Sequence, residues 1–136
     1  MNIGIKGLQH IGIPVTNLEV SVPFYKSLGF TANMQATFLH EGEKGKCIMM
    51  KQGDLIIELY QLPDNALSAI AERNDGSIDH IAFDVQNIDN TYAVIKKMGF
   101  IIIEDSPRFL KFWKNGCRYF NITGPDGERL EFNQIL

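Results

Sequence analysis

"LQHIGIPVTNLE" at residues 8–19 and "IDHIAFDVQNID" at residues 78–89 carry one pattern twice. Setting His10 on His80 runs the two stretches in register, without a gap, to a shared Gly-Phe at 29–30 and 99–100. Ile11/Ile81, Val15/Val85, Asn17/Asn87 and Lys26/Lys96 are identical on the way, and Cys47 lies over Cys117 at the same offset. After the turn "GPDG" (124–127) the offset grows by three. "DLIIELYQ" (54–61) then lies over "GERLEFNQ" (127–134), which pairs Glu58 with Glu131. The chain is an internal duplication, with repeats over 8–61 and 78–134. A period of about 70 residues is far longer than that of solenoid repeats, so two copies of one half-domain describe it better.

Each copy reads as a strand, a helix and three strands. Apolar alternation marks strands at 8–15 and 79–85. Helices follow at 17–28 and 88–98, opened by Asn17 and Asn87 as N-caps and stopped by Gly29 and Gly99. Pro23 fits poorly inside the first helix, which implies either a regular start near Ser21 or a local distortion. Strands near 31–39, 46–52 and 55–61 complete the first copy, separated by the charged segment "HEGEKG" and the turn "QGD". The second copy has strands near 100–104, 117–122 and 128–134. Residues 62–77 join the copies, with a short helix expected around 65–73. The order is βαβββ twice, an α+β chain.

Composition narrows the function classes. A chain of 136 residues is one domain by length, 1–136, and can bury a good core. Its 45% hydrophobic and 21% charged residues are ordinary for a globular protein. A formal net charge of -3 and the lack of a basic stripe argue against a nucleic-acid partner. No apolar run is long enough to span a bilayer and no signal-peptide pattern opens the chain, so no membrane partner and a cytoplasmic location are expected. Cys47 and Cys117 are too few and too far apart for a zinc ribbon. A disulfide does not suit that compartment, and their places in apolar strands favour buried thiols used as small hydrophobes.

The faces of the strands bring out a chemistry. Ile11, Ile13 and Val15, like Ile81, Phe83 and Val85, should pack under the helix of their copy. The opposite face carries His10 or His80, with small Gly12 or Ala82 two positions on. On the last strand of each copy, Glu58 and Glu131 fall on the face away from the helix. A lone strand histidine or glutamate is ordinarily structural. A glutamate at the centre of "LIIELYQL" is nonetheless costly to bury without a partner, and here a histidine and a glutamate recur at equivalent places. Two such half-sheets facing each other would gather His10, Glu58, His80 and Glu131 around a pseudo-twofold axis. Imidazole and carboxylate suit zinc, nickel, cobalt or iron, and a six-coordinate ion would keep two positions open.

Other residues are blander. His40, in the polar turn, has no symmetric mate and reads as exposed. Trp113 lines a pocket mouth or anchors its own loop. Arg108, Lys111, Lys114 and Arg118 around it either hold an anionic group or form a solvated charged loop. Phosphate-cradling glycine motifs and nucleophile elbows are absent.

Through "HIGIPVTNLEVSVPFYKSLGF", "IIELYQ", "IDHIAFDV" and "GPDGERLEF" the chain resembles the vicinal oxygen chelate superfamily, the fold of glyoxalase I, over essentially its whole length. The resemblance implies two paired βαβββ modules forming a cup-shaped mixed sheet with a metal in the cup. The glyoxalase I pattern of the all-bacterial type has His, Glu, His, Glu, which match His10, Glu58, His80 and Glu131. Methylmalonyl-CoA epimerases typically carry Gln where Glu58 stands. Extradiol dioxygenases and fosfomycin-modifying thiol transferases use three protein ligands, and bleomycin-sequestering relatives lack the set. The resemblance therefore implies a lactoylglutathione lyase-like enzyme. It would isomerise a thiol adduct of methylglyoxal or another 2-oxoaldehyde to a 2-hydroxyacyl thioester. One divalent ion is implied per site, nickel or cobalt ahead of zinc. Glu131 would be the principal base, with Glu58 its partner for the opposite substrate hand. A homodimer is expected.

Two positions depart from that pattern. Glutathione-using enzymes commonly place Arg four residues after the first His, and Pro14 stands there. They tend to place Asn four residues after the first Glu, and Leu62 stands there. Both changes remove anchors for glutathione and leave the reaction itself untouched, so another thiol or another 2-oxo compound stays open. The alternatives are an epimerase of the methylmalonyl-CoA type and a small-molecule-binding module without turnover.

Overall fold

The computed structural model describes residues 10–77, 80–110 and 114–136. The chain forms two compact units, Met1–Glu72 and Arg73–Leu136, one for each repeat. The first contains β1 (Ile11–Pro14), α1 (Leu18–Ser27), β2 (Thr31–His40), β3 (Glu43–Gln52), β4 (Leu55–Gln61) and, after a 3₁₀ turn at Asp64–Ala66, the short α2 (Leu67–Ala71). Its four-stranded sheet has the order β1-β4-β3-β2, with β1 parallel to β4 and the other pairs antiparallel. The second contains a 3₁₀ turn at Asn74–Ser77, β5 (Ile81–Asp84), α3 (Ile88–Lys97), β6 (Arg108–Leu110), β7 (Cys117–Thr123) and β8 (Arg129–Ile135). Its sheet repeats the plan as β5-β8-β7-β6, with β5 parallel to β8. The α+β class and the doubled βαβββ order are as the sequence implies. The expected strand residues 8, 9 and 79 lie outside the described residues.

Capping explains where the helices start and stop. Asn17 Oδ1 accepts from the Glu19 N–H at 2.9 Å, and Asn87 Oδ1 accepts from the Asn90 N–H at 2.9 Å. Gly29 and Gly99 take φ of 95° and 80°, the left-handed turn that ends a helix at low cost for glycine. The first helical N–H groups have no partner within a helix, and each repeat meets one of them from its last strand. Gln61 Oε1 accepts from the Leu18 N–H at 2.8 Å, and Gln134 Oε1 accepts from the Ile88 N–H at 2.9 Å. These side chains latch each helix to the strand that carries its repeat's glutamate. Gln134→Ala leaves the Ile88 N–H without that acceptor and should cost about 1–2 kcal/mol, read as a lower urea midpoint; an unchanged midpoint would refute the latch. The helix around Pro23 begins at Leu18 and runs on to Ser27, so the late start near Ser21 is not taken. The exposed ring of Pro23 sits where water can reach the carbonyl it cannot bond.

Each unit packs its helix on the apolar face of its own sheet. Ile13, Ile57, Leu59 and Tyr25 are fully buried in the first, with Tyr25 edge-on to Phe30 at 6.0 Å. In the second, Phe120 stacks on Phe132 at 5.2 Å and meets Tyr92 edge-on at 5.0 Å. Such rings supply large apolar area with defined geometry.

Two parts of the sequence reading need correction. The charged segment after residue 39 is mostly strand. Only Glu41 and Gly42 turn, with φ of 51° and 84°, which is the pair of positive angles a tight hairpin requires. His40 therefore ends β2 opposite Glu43 and is half-buried, not an exposed turn residue. The strand expected at 100–104 does not form as a strand, since only Ile102 bridges to Ile122. After Ile103 N–H bonds to the Asn121 carbonyl at 2.9 Å, the Glu104 carboxylate takes both the Asn121 backbone N–H at 2.6 Å and its Nδ2 at 2.8 Å. A side chain thus occupies the place of a ladder carbonyl, and the backbone leaves the sheet. The Tyr92 hydroxyl holds this detour by donating to the Glu104 and Asp105 carbonyls at 3.1 and 2.7 Å. Pro107, which has no N–H to offer a ladder, precedes the return as β6.

Candidate metal site

Strand register places the four candidate ligands. Gly12 pairs with Glu58 across β1 and β4, and Ala82 pairs with Glu131 across β5 and β8. His10 and His80 sit immediately before those first strands, two positions from Gly12 and Ala82 on the same face. His10 Nε2 stands 3.2 Å from Glu58 Oε2, and His80 Nε2 stands 3.7 Å from Glu131 Oε2. The histidines are 34% and 45% exposed and the glutamates 24% and 13%, so each pair is open to solvent at its imidazole end. Small residues keep the space clear. A Cβ at Gly12 would lie 3.9 Å from Glu58 Oε2, ordinary contact distance.

The geometry suits a metal ligand pair. Nitrogen and oxygen ligands each about 2.1 Å from one ion, at right angles, stand roughly 3 Å apart. The 3.2 Å pair has that spacing, and the 3.7 Å pair needs only a small closure. The structure brings His10 to Glu58 and His80 to Glu131, each pair within its own unit. Among the described residues no group of three or more His, Cys, Asp or Glu side chains is drawn together for an ion.

The two carboxylates have different neighbours, which the sequence reading missed. Cys47 is buried beside Glu58; burial first, then the Glu58 charge and its hydrogen bond, push the thiol above its ordinary value. Cys47 is therefore a buried, free thiol held protonated beside the carboxylate, unlike a reactive thiolate. Tyr60, next on that face, sets its ring edge against Phe38 at 6.4 Å. In the second repeat Asn133 Nδ2 donates to Glu131 Oε1 at 2.7 Å. Asn121, directly across the ladder from Glu131, gives its Nδ2 to Glu104. Among the described residues, the carbonyl oxygens of both asparagines are buried without a hydrogen-bond partner. No repeat signal could have pointed to Asn133, since its counterpart is Tyr60. The recurring Gln61 and Gln134 were visible in the alignment as a matched pair.

The charged loop resolves in part. Arg108 bonds Asp105 at 2.7 Å, and Arg118 forms a bidentate pair with Asp89 at 2.6 and 2.8 Å. The Arg118 guanidinium holds the Asp89 carboxyl below its ordinary value. Both arginines are thus engaged by carboxylates of the chain. Lys114 is exposed, while Lys111 and Trp113 lie outside the described residues. Among the described residues no helix is long and apolar enough to cross a membrane.

Comparison with known proteins gives a consistent frame. The family model of the Glyoxalase/Bleomycin resistance protein/Dioxygenase superfamily matches residues 7–132. The uncharacterized protein YwbC of Bacillus subtilis is 32% identical over 131 residues, covering 95% of this chain and 98% of that one. YwkD of the same organism, also uncharacterized, is 30% identical over 104 residues, 76% of this chain and 77% of its own. A glyoxalase family protein from Enterococcus faecalis superposes with a TM-score of 0.71 at 21% identity, covering 94% and 97% of the two chains. A mutant of the Listeria monocytogenes fosfomycin resistance protein FosX, complexed with Mn(II) and 1S,2S-dihydroxypropylphosphonic acid, superposes with a TM-score of 0.68 at 17% identity, covering 97% and 94%.

Proposed function

The chain belongs to the Glyoxalase/Bleomycin resistance protein/Dioxygenase superfamily, and we propose that within it this protein is a cytoplasmic, metal-dependent lyase of the glyoxalase I kind. Its substrate is the hemithioacetal of methylglyoxal, or of another 2-oxoaldehyde, with a thiol, and its product is the 2-hydroxyacyl thioester. The observation that carries the reading is the His–Glu pair formed twice at equivalent places, 3.2 Å apart in one repeat and 3.7 Å in the other. Glu58 matters, because the epimerase pattern has Gln in its place.

In this reading His10, Glu58, His80 and Glu131 hold one divalent ion, nickel or cobalt in preference to zinc, and the protein works as a homodimer. When bound, such an ion supplies Lewis-acid polarisation of two adjacent substrate oxygens. Glu131 takes the proton from the carbon bearing sulfur and oxygen and returns it to the neighbouring carbon. The carbon bearing sulfur also loses its hydroxyl proton and becomes the thioester carbonyl, and the former ketone oxygen gains a proton. Hydrogen and electron counts balance without an oxidant. Glu58, in the equivalent place, serves the other substrate hand. Pro14 and Leu62 replace anchors for glutathione, so a different thiol is the expected partner.

The deciding experiment measures metal content and then thioester formation from methylglyoxal with a panel of thiols that includes glutathione, cysteine and coenzyme A. Metal-dependent product, weaker with glutathione than with another thiol, is expected. No product from any adduct by the metal-loaded protein would refute the lyase, and turnover of methylmalonyl-CoA instead would make it an epimerase. Restoration of apoprotein by zinc alone would overturn the metal preference.

A further inference from the structure

The two repeats give their glutamates different neighbours, and the difference singles out one residue. Glu131 Oε1 accepts from Asn133 Nδ2 at 2.7 Å, while Oε2 is the oxygen turned toward His80 Nε2, 3.7 Å away. In the first repeat Tyr60 stands at the equivalent position and uses its ring on Phe38. We infer that Asn133 is a positioning residue for the metal. It engages one oxygen of Glu131, so that the carboxylate presents the other as a single, fixed ligand atom. The inference rests on the reading of Glu131 as a metal ligand.

The amide orientation supports it. A carboxylate only accepts hydrogen bonds, so Asn133 must turn its NH₂ toward Glu131 and its Oδ1 away. That oxygen is then buried without a donor among the described residues. Asn121, across the ladder from Glu131, repeats the arrangement, with Nδ2 on Glu104 and Oδ1 unpartnered. A buried acceptor without a donor is a cost that stability alone would remove. Side chains that orient a ligand from behind are the setting in which such a cost is retained. Asn133→Leu removes the unpartnered oxygen together with the bond to Glu131, so its stability should change little while its metal binding falls. A merely structural asparagine would show the reverse.

The test is Co²⁺ affinity by chelator competition, with the visible absorption of the bound ion, for the full-length wild type, Asn133→Leu and Asn133→Ala; the Ala variant demands less of the packing. Metal dissociation constants should rise about 10- to 100-fold, and the cobalt spectrum should change as Glu131 becomes free to bind through both oxygens, with melting temperatures near wild type. Wild type binding Co²⁺ and both variants binding within twofold, spectra unchanged, would overturn the inference and leave the metal site standing. A wild type that binds no Co²⁺ would overturn the site reading itself, and the inference with it.

Discussion

Glu131→Gln should keep much of its metal and lose catalysis, by about 10²- to 10⁴-fold in turnover, the usual cost of removing a general base. Glutamine keeps the shape and one oxygen ligand but almost none of the basicity. The surroundings of Glu131 bear on whether that oxygen stays available. Asn133 now gives its NH₂ to Oε1, and it can turn its amide and accept from a Gln NH₂, which leaves the Gln oxygen facing His80. Glu58→Gln should be milder, because it resembles the epimerase arrangement and leaves the principal base in place. Turnover set against metal occupancy separates the two variants. Near wild-type turnover in fully metallated Glu131→Gln would show that Glu131 is not the base.

His10→Ala and His80→Ala should each strip the protein of metal. A lost ligand ought to exceed the roughly 10- to 100-fold affinity cost of losing an outer partner. His40→Ala is the control, since His40 closes β2 opposite Glu43, in a different part of the sheet from the Glu58 pair. The measurement is metal per chain after dialysis against a limiting chelator. Equal loading in the His80 variant and wild type would mean that the second repeat does not ligate. Loss in the His10 variant alone would confine the centre to the first.

The elements that followed from the sequence were those fixed by local chemistry repeated in both copies. Asn17 and Asn87 cap as expected, Gly29 and Gly99 stop the helices, and β4 spans 55–61 as read. The His–Glu pairing followed too, because strand alternation and the parallel β1–β4 register put both residues on one face. The second repeat departs from the sequence expectation where a long-range side-chain bond decides the backbone. Residues 100–104, "FIIIE", have the composition of a strand, yet Glu104 spends its carboxylate on Asn121 and takes the chain out of the ladder. Nothing local announces that. The turn at 41–42 is narrower than the charge of its segment implies, since the two positive φ angles need only Glu41 and Gly42. Asn133 is out of reach because the copies have diverged there, with Tyr60 in its place. Cys47 is matched by Cys117 in sequence, but the ladder sets Cys47 opposite Tyr60 and Cys117 opposite Ile135, a register that the sequence does not announce.

The latches at Gln61 and Gln134 speak to ancestry. Each runs from the last strand of a repeat to the first turn of the helix in that same repeat. A gene half this long would already have encoded a helix docked on its own sheet, so fusion of two copies inherited a finished fastening. Mutation could then accumulate unevenly. One copy has a long hairpin, β2 with β3, and the other has the Glu104 detour, with the helix latched in both. The fusion freed the two glutamates to acquire separate surroundings, a thiol for one and a carboxamide for the other, an independence that identical chains sharing one gene could not have had.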